Sequence, residues 1–248
     1  MSTNKLWPYN AENIHPGFSV DCVIISFHKG RLKVLLNKFN LEDYWSLPGG
    51  FMLNDEAADE AAYRILKMRT GLTNIFLKQF YLFSDPQRTI MKQNIDFVER
   101  NEATKGEGQW LLRRFISLGF YALVKYDEVK LTSIDGELSK WYDINTLPNL
   151  YSDHNNIIKT ALDTIRTMLP VIPIGYELLP VKFTMTELRK IYENILGKTL
   201  DRRNFQRKVL SEGYVLQSEE RKKSQVYNAP ILYSFNLQNR DENFLGKF

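Results

Sequence analysis

The residues best suited to chemistry lie in residues 50–72, where carboxylates follow a glycine-containing loop and begin a helix. Glu56, Asp59 and Glu60 supply oxygen ligands of the kind that Mg²⁺ prefers in proteins. Arg64 stands eight residues after Glu56 and four after Glu60, so ordinary ion pairs account for the same carboxylates. Two interpretations therefore stay open, a cation site recruited from these acids and a set of pairs closed by Arg64.

The same segment resembles a Nudix box from which the catalytic acids have been lost. The Nudix pattern is Gly, five residues, Glu, seven residues, then Arg-Glu-apolar-any-Glu-Glu-any-Gly-apolar. This chain keeps six of its positions, which are Gly50, Glu56, Arg64, Leu66, Gly71 and Leu72. Ile65, Met68 and Arg69 stand where the family has glutamates and offer Mg²⁺ no oxygen ligand. The resemblance therefore implies a Nudix fold with no catalytic residues, no metal site, no cofactor and no hydrolysis.

The elements that must position this segment are readable from hydrophobic periodicity. Branched residues at 20–27 and 32–36 flank Lys29-Gly30 and predict a β-hairpin, and residues 76–83 and 116–124 predict further strands. Residues 55–69 follow helical spacing. The polar stretch 84–109 shows no firm periodicity, and we expect either a lid or dimer arm or a disordered insertion.

A second predicted helix covers residues 155–168, and Asp153 is a candidate for its N-cap. His154 follows directly, and a hydrogen-bonded structural histidine is favoured over a ligand or a catalytic base. Two prolines and a glycine then break the helix. We predict an effector-binding domain at 1–169, a linker at 170–175 and a second domain at 176–248.

Charge is distributed unevenly between these predicted domains. Residues 176–248 hold 13 Lys and Arg against 9 Asp and Glu, whereas the rest of the chain holds 20 of each, so the net charge of +4 lies in the last third. Such asymmetry is typical of a nucleic-acid-binding segment. No run approaches the roughly 20 apolar residues of a membrane span, and the N-terminus lacks a secretory signal. We expect a cytoplasmic protein.

The C-terminal domain has the pattern of a winged helix-turn-helix. Thr184 and Glu187 fit a capping box, Gly197 ends that helix, and Asp201 can cap a second helix with a polar face. Arg and Asn near the start of such a helix bond to base edges, and Lys holds phosphate. Residues 213–216, the charged tip 219–223 and Val226-Tyr227 then form a hairpin pattern, which we predict to be the wing. The predicted DNA-binding residues are Thr184, Thr186, Arg202, Arg203, Asn204, Arg207, Lys208, Arg221, Lys222 and Lys223.

Taken together, the chain resembles the Nudix-related transcriptional regulators (NrtR-like) of bacteria over nearly its whole length. The resemblance rests on residues 45–51, 83–86, 141–154 and 199–205. It implies an α+β fold, a Nudix-like α/β/α sandwich followed by a C-terminal winged helix-turn-helix domain. It also implies a homodimeric repressor that binds double-stranded operator DNA and senses a small effector.

One branch of this family senses ADP-ribose in NAD metabolism, and another senses pentoses such as L-arabinose and controls their catabolic genes. The lost glutamates and the long insertion favour the pentose branch here. A sugar pocket needs planar hydrogen-bonding groups and an aromatic face. The candidate effector residues are Trp45, Phe51, Glu56, Arg64, Asp85, Arg88 and Arg113. Core packing explains the two aromatic residues equally well, and Glu56 with Arg64 can simply pair.

Three alternatives to a pentose-responsive repressor differ from it in function or in effector. A Nudix hydrolase of ADP-ribose-like nucleoside diphosphates would recruit its metal through Glu56, Asp59, Glu60 and acids of the insertion. An ADP-ribose-sensing regulator of NAD metabolism would keep the DNA-binding function and change the effector. A sugar-binding scaffold would make no DNA contact at all. The sequence fixes neither the operator nor whether the effector releases or promotes DNA binding.

Overall fold

The structure is a computed structural model that describes residues 10–39, 43–73, 75, 77–100, 108–129, 131, 137–169, 174–222 and 229–236. The chain divides into two compact units, one of residues 1–25 and 33–164 and one of residues 26–32 and 165–248. The predicted linker at 170–175 falls largely outside the described residues. No helix within the described ranges combines the length and the apolarity needed to cross a membrane.

The first unit is built on a six-stranded mixed sheet. Its strands are β1 (Ile14–His28), β2 (Arg31–Phe39), β3 (Gly49–Leu53), β4 (Leu77–Phe83), β5 (Ile116–Leu123) and β6 (Glu137–Asp143). The order is β4-β5-β1-β2-β6, with β3 beside the start of β1. Strands β1 and β5 run parallel, while β2–β6 and β4–β5 are antiparallel pairs. Strand β5 therefore lies inside the sheet, as its apolar sequence predicts.

The β1–β2 connection is the predicted hairpin. Lys29 and Gly30 both have positive φ, at 49° and 79°. A two-residue turn with positive φ at both positions matches the right-handed twist of the flanking strands. Glycine adopts this backbone without a steric penalty, so Gly30 makes the tight turn accessible.

The Nudix-box helix α1 (Ala58–Thr70) packs its small-residue face on the sheet. Ala61, Ala62 and Ile65 are fully buried in one cluster with Val20, Cys22, Ile24 and Phe120. Gly71 ends the helix in the left-handed conformation at φ 69° and donates its N–H to the Lys67 carbonyl. The sequence-based helix, its inward face and its stop are confirmed.

The insertion contains a helix that the sequence interpretation missed. Helix α2 (Met91–Arg100) buries Asn94 and Val98, which stand four residues apart and are the periodic signal that the polar composition obscured. Asn94 Nδ2 donates to the Leu111 carbonyl at 2.8 Å, and the Ser152 N–H donates to Gln93 Oε1 at 2.8 Å. The first half of the insertion is thus packed against its own domain. Residues 101–107 lie outside the described ranges.

Helix α3 (His154–Met168) follows, and the second unit then adds two helices and a small sheet. The further elements are β7 (Phe183–Thr184), α4 (Met185–Leu196), α5 (Arg202–Ser211), β8 (Val215–Arg221) and β9 (Ile231–Phe235). The sheet order is β7-β9-β8. Its apolar interior includes Phe183, Leu188 and Ile191, each no more than 1% exposed.

The caps of α4 and α5 form as predicted. Thr184 Oγ1 accepts from the Glu187 N–H, and Glu187 Oε2 accepts from the Thr184 N–H at 2.7 Å. Asp201 Oδ1 accepts from the Asn204 N–H at 2.8 Å. Each interaction satisfies a backbone donor that the first helical turn leaves unpaired.

The wing differs from its predicted register. Strand β8 continues through Arg221, so the charged residues at 219–221 belong to a strand and not to the tip. The returning strand is β9 at Ile231–Phe235, whereas the sequence interpretation placed it at Val226-Tyr227, which lies outside the described residues. The prediction took the first apolar pair after the charged residues as the return strand. In the structure β9 pairs with β8 and also with β7, which is only two residues long and gives little signal in the sequence.

Candidate effector site and candidate nucleic-acid interface

Glu56 and Arg64 of the Nudix box bind each other. Arg64 Nε donates to Glu56 Oε2 at 2.9 Å, and Arg64 Nη2 donates to Glu56 Oε1 at 2.5 Å and to the Phe51 carbonyl at 2.9 Å. Partial burial by itself raises the pKa of Glu56, but the hydrogen bonds from Arg64 and from the Leu53 N–H outweigh it and lower that pKa. The pair joins the loop after β3 to α1.

Glu60 does not pair with Arg64, which corrects the expectation from their spacing. Its Oε2 accepts the Ala57 N–H at 2.8 Å, so the carboxylate caps the start of α1. A carboxylate at a helix N-terminus is favoured by the unpaired backbone donors and by the helix dipole. Of the three box acids, two are therefore committed to protein partners. Among the described residues, no group of three or more His, Cys, Asp or Glu is arranged to hold a metal ion.

The three positions that depart from the Nudix pattern face the interior to different degrees. Ile65 is fully buried and Met68 is half-buried. Arg69 is 7% exposed and forms an ion pair with Glu137, whose Oε1 also accepts from Asn37 Nδ2 at 2.9 Å. Arg69 Nε and Asn37 Oδ1 are buried and find no hydrogen-bond partner in the part of the chain that the structure describes. Arg69 thus places a guanidinium, paired with Glu137, where the Nudix pattern has a glutamate.

Arg88 lies at the centre of a buried ionic network. Its Nε and Nη2 donate to the two carboxylate oxygens of Asp153 at 3.0 Å each, and its Nη1 donates to the Phe115 carbonyl at 3.3 Å. Asp21 Oδ2 lies 3.6 Å from Arg88 Nη2 and accepts from Ser117 Oγ at 2.5 Å. The Arg88 side chain is only 7% exposed. Its contacts join the insertion to Asp21 on β1 and to Asp153 just before α3.

His154 belongs to the same network as a structural residue. Its Nδ1 accepts the Leu47 N–H at 2.8 Å, and its Nε2 lies 3.6 Å from Asp21 Oδ1. Burial lowers the pKa of His154, and it outweighs the opposing effect of Asp21 and Asp153. The hydrogen-bonded structural histidine is confirmed. Asp153 precedes α3 as expected, but its carboxylate binds Arg88 and does not cap the helix.

The remaining effector candidates are placed in different surroundings. The Phe51 ring contacts the rings of Trp110 and Phe115 at centroid distances of 4.8 and 4.9 Å, and the Trp45 ring contacts Tyr142 at 4.8 Å. Both side chains are half-buried, and Phe51 packs against a buried cluster that includes Trp110 and Phe115, as the core-packing alternative expects for this residue.

Asp85 and Arg113 are exposed. Asp85 Oδ1 accepts the Gln87 N–H at 2.7 Å and shapes a turn. Arg113 makes no side-chain hydrogen bond or ion pair with the residues that the structure describes.

The sequence interpretation missed Asp21 as the partner of Arg88. The available signal was a single carboxylate within the apolar run 20–27, because a charged residue in a buried strand requires a partner. Gly49 is part of the same arrangement, since a Cβ there would lie 2.5 Å from Asp21 Oδ1. A glycine at this position gives the Asp21 carboxylate its space.

In the second unit, the polar face of α5 is strongly basic. Arg202, Arg203, Asn204, Arg207 and Lys208 are exposed. Arg207 Nη2 donates to Asn204 Oδ1 at 2.9 Å, and Lys208 Nζ lies 3.8 Å from a Glu212 carboxylate oxygen. Within the described ranges, Arg202 and Arg203 make no side-chain hydrogen bond or ion pair. Both guanidiniums therefore retain their donors for a partner.

The other predicted DNA-binding residues are more engaged within the protein. Thr184 is buried in the capping box, whereas Thr186 is exposed on the first turn of α4. Arg221 Nη1 donates to the Ala229 carbonyl at 3.0 Å, and Lys222 Nζ lies 2.7 Å from Glu187 Oε1. Lys223 lies outside the described residues.

Comparisons with known proteins extend these observations. Residues 175–235 match the family model of the NrtR DNA-binding winged helix domain. The "ADPR responsive transcriptional repressor NtrR" of Acinetobacter baylyi is 26% identical over 236 residues, which cover 92% of this chain and 86% of that protein. The "ADP-ribose pyrophosphatase" of Methanocaldococcus jannaschii is 29% identical over 147 residues, covering 59% of this chain and 73% of that protein.

A solved structure shares the whole architecture. The crystal structure of Shewanella oneidensis NrtR complexed with a 27mer DNA has a TM-score of 0.66 and 21% identity, and the match covers 90% of this chain and 95% of that one. The predicted fold is confirmed as a Nudix domain followed by a C-terminal winged helix domain. The comparisons support the Nudix-related, NrtR-like regulators as relatives of this chain and do not support the arabinose branch.

Proposed function

We propose that this protein is a DNA-binding transcriptional repressor whose Nudix domain responds to ADP-ribose. The observation that carries the proposal is the alignment with an ADP-ribose-responsive repressor, which runs through both domains of this chain. Fold alone would not assign the function, because one fold supports many activities. The exposed basic face of α5 supplies the chemistry that DNA binding requires.

The proposed DNA contact places the first turns of α5 in the major groove. Arg203 is exposed and retains all its donors, so it can bond bidentately to guanine. Lys208 lies one and a half turns further along the helix and carries an exposed ammonium, which suits a phosphate contact. As in the winged helix-turn-helix class, two copies of the domain would read two half-sites, so we propose a homodimer.

The proposed effector is ADP-ribose and not a pentose. Its diphosphate requires cationic donors, and a guanidinium binds phosphate bidentately. Arg64 and Arg88 already bind Glu56 and Asp153, whereas Arg113 is exposed with no side-chain partner in the described ranges. We therefore assign Arg113 as the diphosphate contact. The pentose expectation rested on the altered Nudix box and the insertion, and no observation on this site favours a neutral sugar.

We further propose that the Nudix domain binds its effector without hydrolysing it. Ile65, Met68 and Arg69 give a metal ion no oxygen ligand, and Arg69 places a positive charge beside α1. A metal that generates a nucleophilic water from this box would need other ligands. Hydrolysis is the second candidate function, and the similarity to an ADP-ribose pyrophosphatase favours it.

Two substitutions on α5 test the DNA-binding part. Arg203→Ala is expected to weaken binding to a selected duplex by about 1–3 kcal/mol and to leave binding to random DNA nearly unchanged. Lys208→Ala is expected to weaken both and to lower the salt slope by about one ion. Fluorescence anisotropy over a salt series separates the two patterns. Equal losses on both duplexes for Arg203→Ala would remove this residue from base recognition.

A ligand panel tests the effector part. ADP-ribose is expected to raise the melting temperature of the wild-type protein, since it binds the folded state selectively. L-arabinose and NAD are expected to leave it unchanged. Arg113→Ala should remove the ADP-ribose shift, while the exposed control Lys159→Ala should keep it. A shift with L-arabinose alone would reinstate the pentose interpretation, and AMP release with Mg²⁺ present would establish the hydrolase.

A further inference from the structure

The second unit contains a cavity of about 250 Å³ between the first turns of α4, the first turns of α5 and the wing strands. Among the eleven described residues that line it, three are arginines and none is acidic. The arginines are Arg189 from α4, Arg202 from α5 and Arg221 from β8. Glu193 offsets the charge of Arg189, whereas Arg202 and Arg221 form no ion pair with a described residue, so the pocket keeps a net positive charge, which attracts an anion.

The arginines have donors left over after their contacts within the protein. Arg189 Nη1 donates to Glu193 Oε1 at 2.7 Å and to the Leu200 carbonyl at 3.0 Å, while its Nε is buried and has no hydrogen-bond partner among the described residues. Arg202 makes no side-chain hydrogen bond or ion pair with any described residue. A buried unsatisfied guanidinium N–H is unfavourable, because the group has lost its water and gained no acceptor. Arg202 keeps its guanidinium donors for an acceptor in the pocket, and Arg189, whose Nε is unsatisfied, lines the same space.

Neutral donors complete the lining. Gln206 Nε2 donates to Tyr233 Oη at 3.2 Å, so the Tyr233 hydroxyl serves as an acceptor there and its own proton is left to donate. Tyr233 is 3% exposed, and Thr186 contributes a further hydroxyl at the start of α4. The pocket thus brings N–H and O–H donors from α4, α5, β8 and β9 around one space.

We propose that this pocket binds a phosphate group. Several donors from different directions suit a tetrahedral anion with several acceptor oxygens, and guanidinium is the side chain that pairs with phosphate bidentately. A cavity slightly smaller than the roughly 300 Å³ at the lower end of small-molecule sites holds a phosphate with part of an attached sugar. The phosphate comes either from the DNA backbone or from a free phosphorylated compound.

Binding of inorganic phosphate to the full-length protein tests the pocket without DNA. Melting temperature is measured across a phosphate series against chloride at matched ionic strength. Wild type is expected to gain stability specifically in phosphate, and Arg202→Gln to raise the apparent phosphate Kd about tenfold or more through loss of a charged hydrogen-bond donor. The control Lys198→Gln removes the same charge from an exposed position outside the pocket and is expected to behave as wild type. No phosphate-specific gain, or an equal gain in Arg202→Gln, overturns the proposal.

A competition experiment distinguishes the two sources. If the pocket holds a backbone phosphate, inorganic phosphate weakens DNA binding by wild type more than chloride of equal ionic strength does, and Arg202→Gln abolishes the difference. If phosphate binds through Arg202 but DNA affinity is the same in both salts, the pocket serves a free phosphorylated compound. The DNA arm rests on the proposed function. A protein that binds phosphate and no DNA would defeat the proposed function and leave the phosphate pocket standing.

Discussion

Replacing Arg88 with alanine should destabilise the Nudix domain strongly. The substitution removes a bidentate ion pair with Asp153 and a hydrogen bond to the Phe115 carbonyl. It leaves the carboxylates of Asp153 and Asp21, whose side chains are only 14% and 10% exposed, without their cation. Breaking a buried pair from one side costs about 3–5 kcal/mol. Since both carboxylates retain some exposure, we expect about 3 kcal/mol for Arg88→Ala.

Urea unfolding followed by tryptophan fluorescence measures this loss. The tryptophans that the structure describes, at positions 45, 110 and 141, belong to the first compact unit, so their signal reports on the domain that contains Arg88. Arg113→Ala is the matched control, because Arg113 is exposed, and it should change stability by less than about 0.5 kcal/mol. The double variant Arg88→Ala with Asp153→Ala should lose much less than the sum of its single variants.

A loss of less than about 1 kcal/mol in the free energy of unfolding of Arg88→Ala would contradict the expected cost of leaving two largely buried carboxylates without a cation. Such a result would mean that Arg88 is accessible to water and to ligands. It would return Arg88 to the set of effector contacts that its sequence position first indicated.

Three further predictions concern stability. Burial lowers the pKa of His154, so the imidazole takes up a proton more readily in the unfolded chain than in the native protein. The stability that this group contributes is therefore present above its unfolded pKa of about 6.5 and is lost as the pH falls. The charged groups that face His154 are Asp21, Asp153 and Arg88. In urea titrations, wild type should therefore lose more stability than His154→Gln between about pH 7.5 and 5.5. Parallel pH profiles of the two proteins would contradict the assignment. Thr184→Ala should lower the stability of the winged helix domain by about 1 kcal/mol in circular-dichroism melts, through loss of the capping box. Arg69→Met should lower the free energy of unfolding by about 3–5 kcal/mol, because it leaves the buried Glu137 carboxylate without its cation. Adding Glu137→Leu should restore most of this loss. A double variant as unstable as the single one would show that the ion pair is not the cause.

Much of the fold was predictable because its signals are local. The β1–β2 hairpin, the box helix with its glycine stop and the capping box of α4 each depend on residues within a few positions of one another. Helix α2 and the return strand of the wing were not predicted. In both cases partners distant in sequence contribute, since α2 packs on residues 111 and 151–152, and β9 pairs with β7, about fifty residues earlier, as well as with β8.

The candidate site divides along the same line. The exposed basic face of α5 follows from helical spacing and a cap, so its residues were named correctly as outward-facing. The effector candidates were chosen for their chemistry, and chemistry alone could not indicate which cations already have partners. Arg88 is held by Asp21 from 67 positions earlier and by Asp153 from 65 positions later, and Arg64 by Glu56 across a turn. Only the packed structure distinguishes these arginines from Arg113.

The proposed function requires that α5 binds specific DNA and that the effector bound to the Nudix domain changes this binding. Selection of duplexes from a random pool by the full-length protein, followed by anisotropy with and without ADP-ribose, measures both parts at once. We expect a consensus bound at least about 10³-fold more tightly than random DNA, with an affinity that ADP-ribose changes about fivefold or more. Equal affinity for selected and random duplexes, unmoved by ADP-ribose, would contradict it.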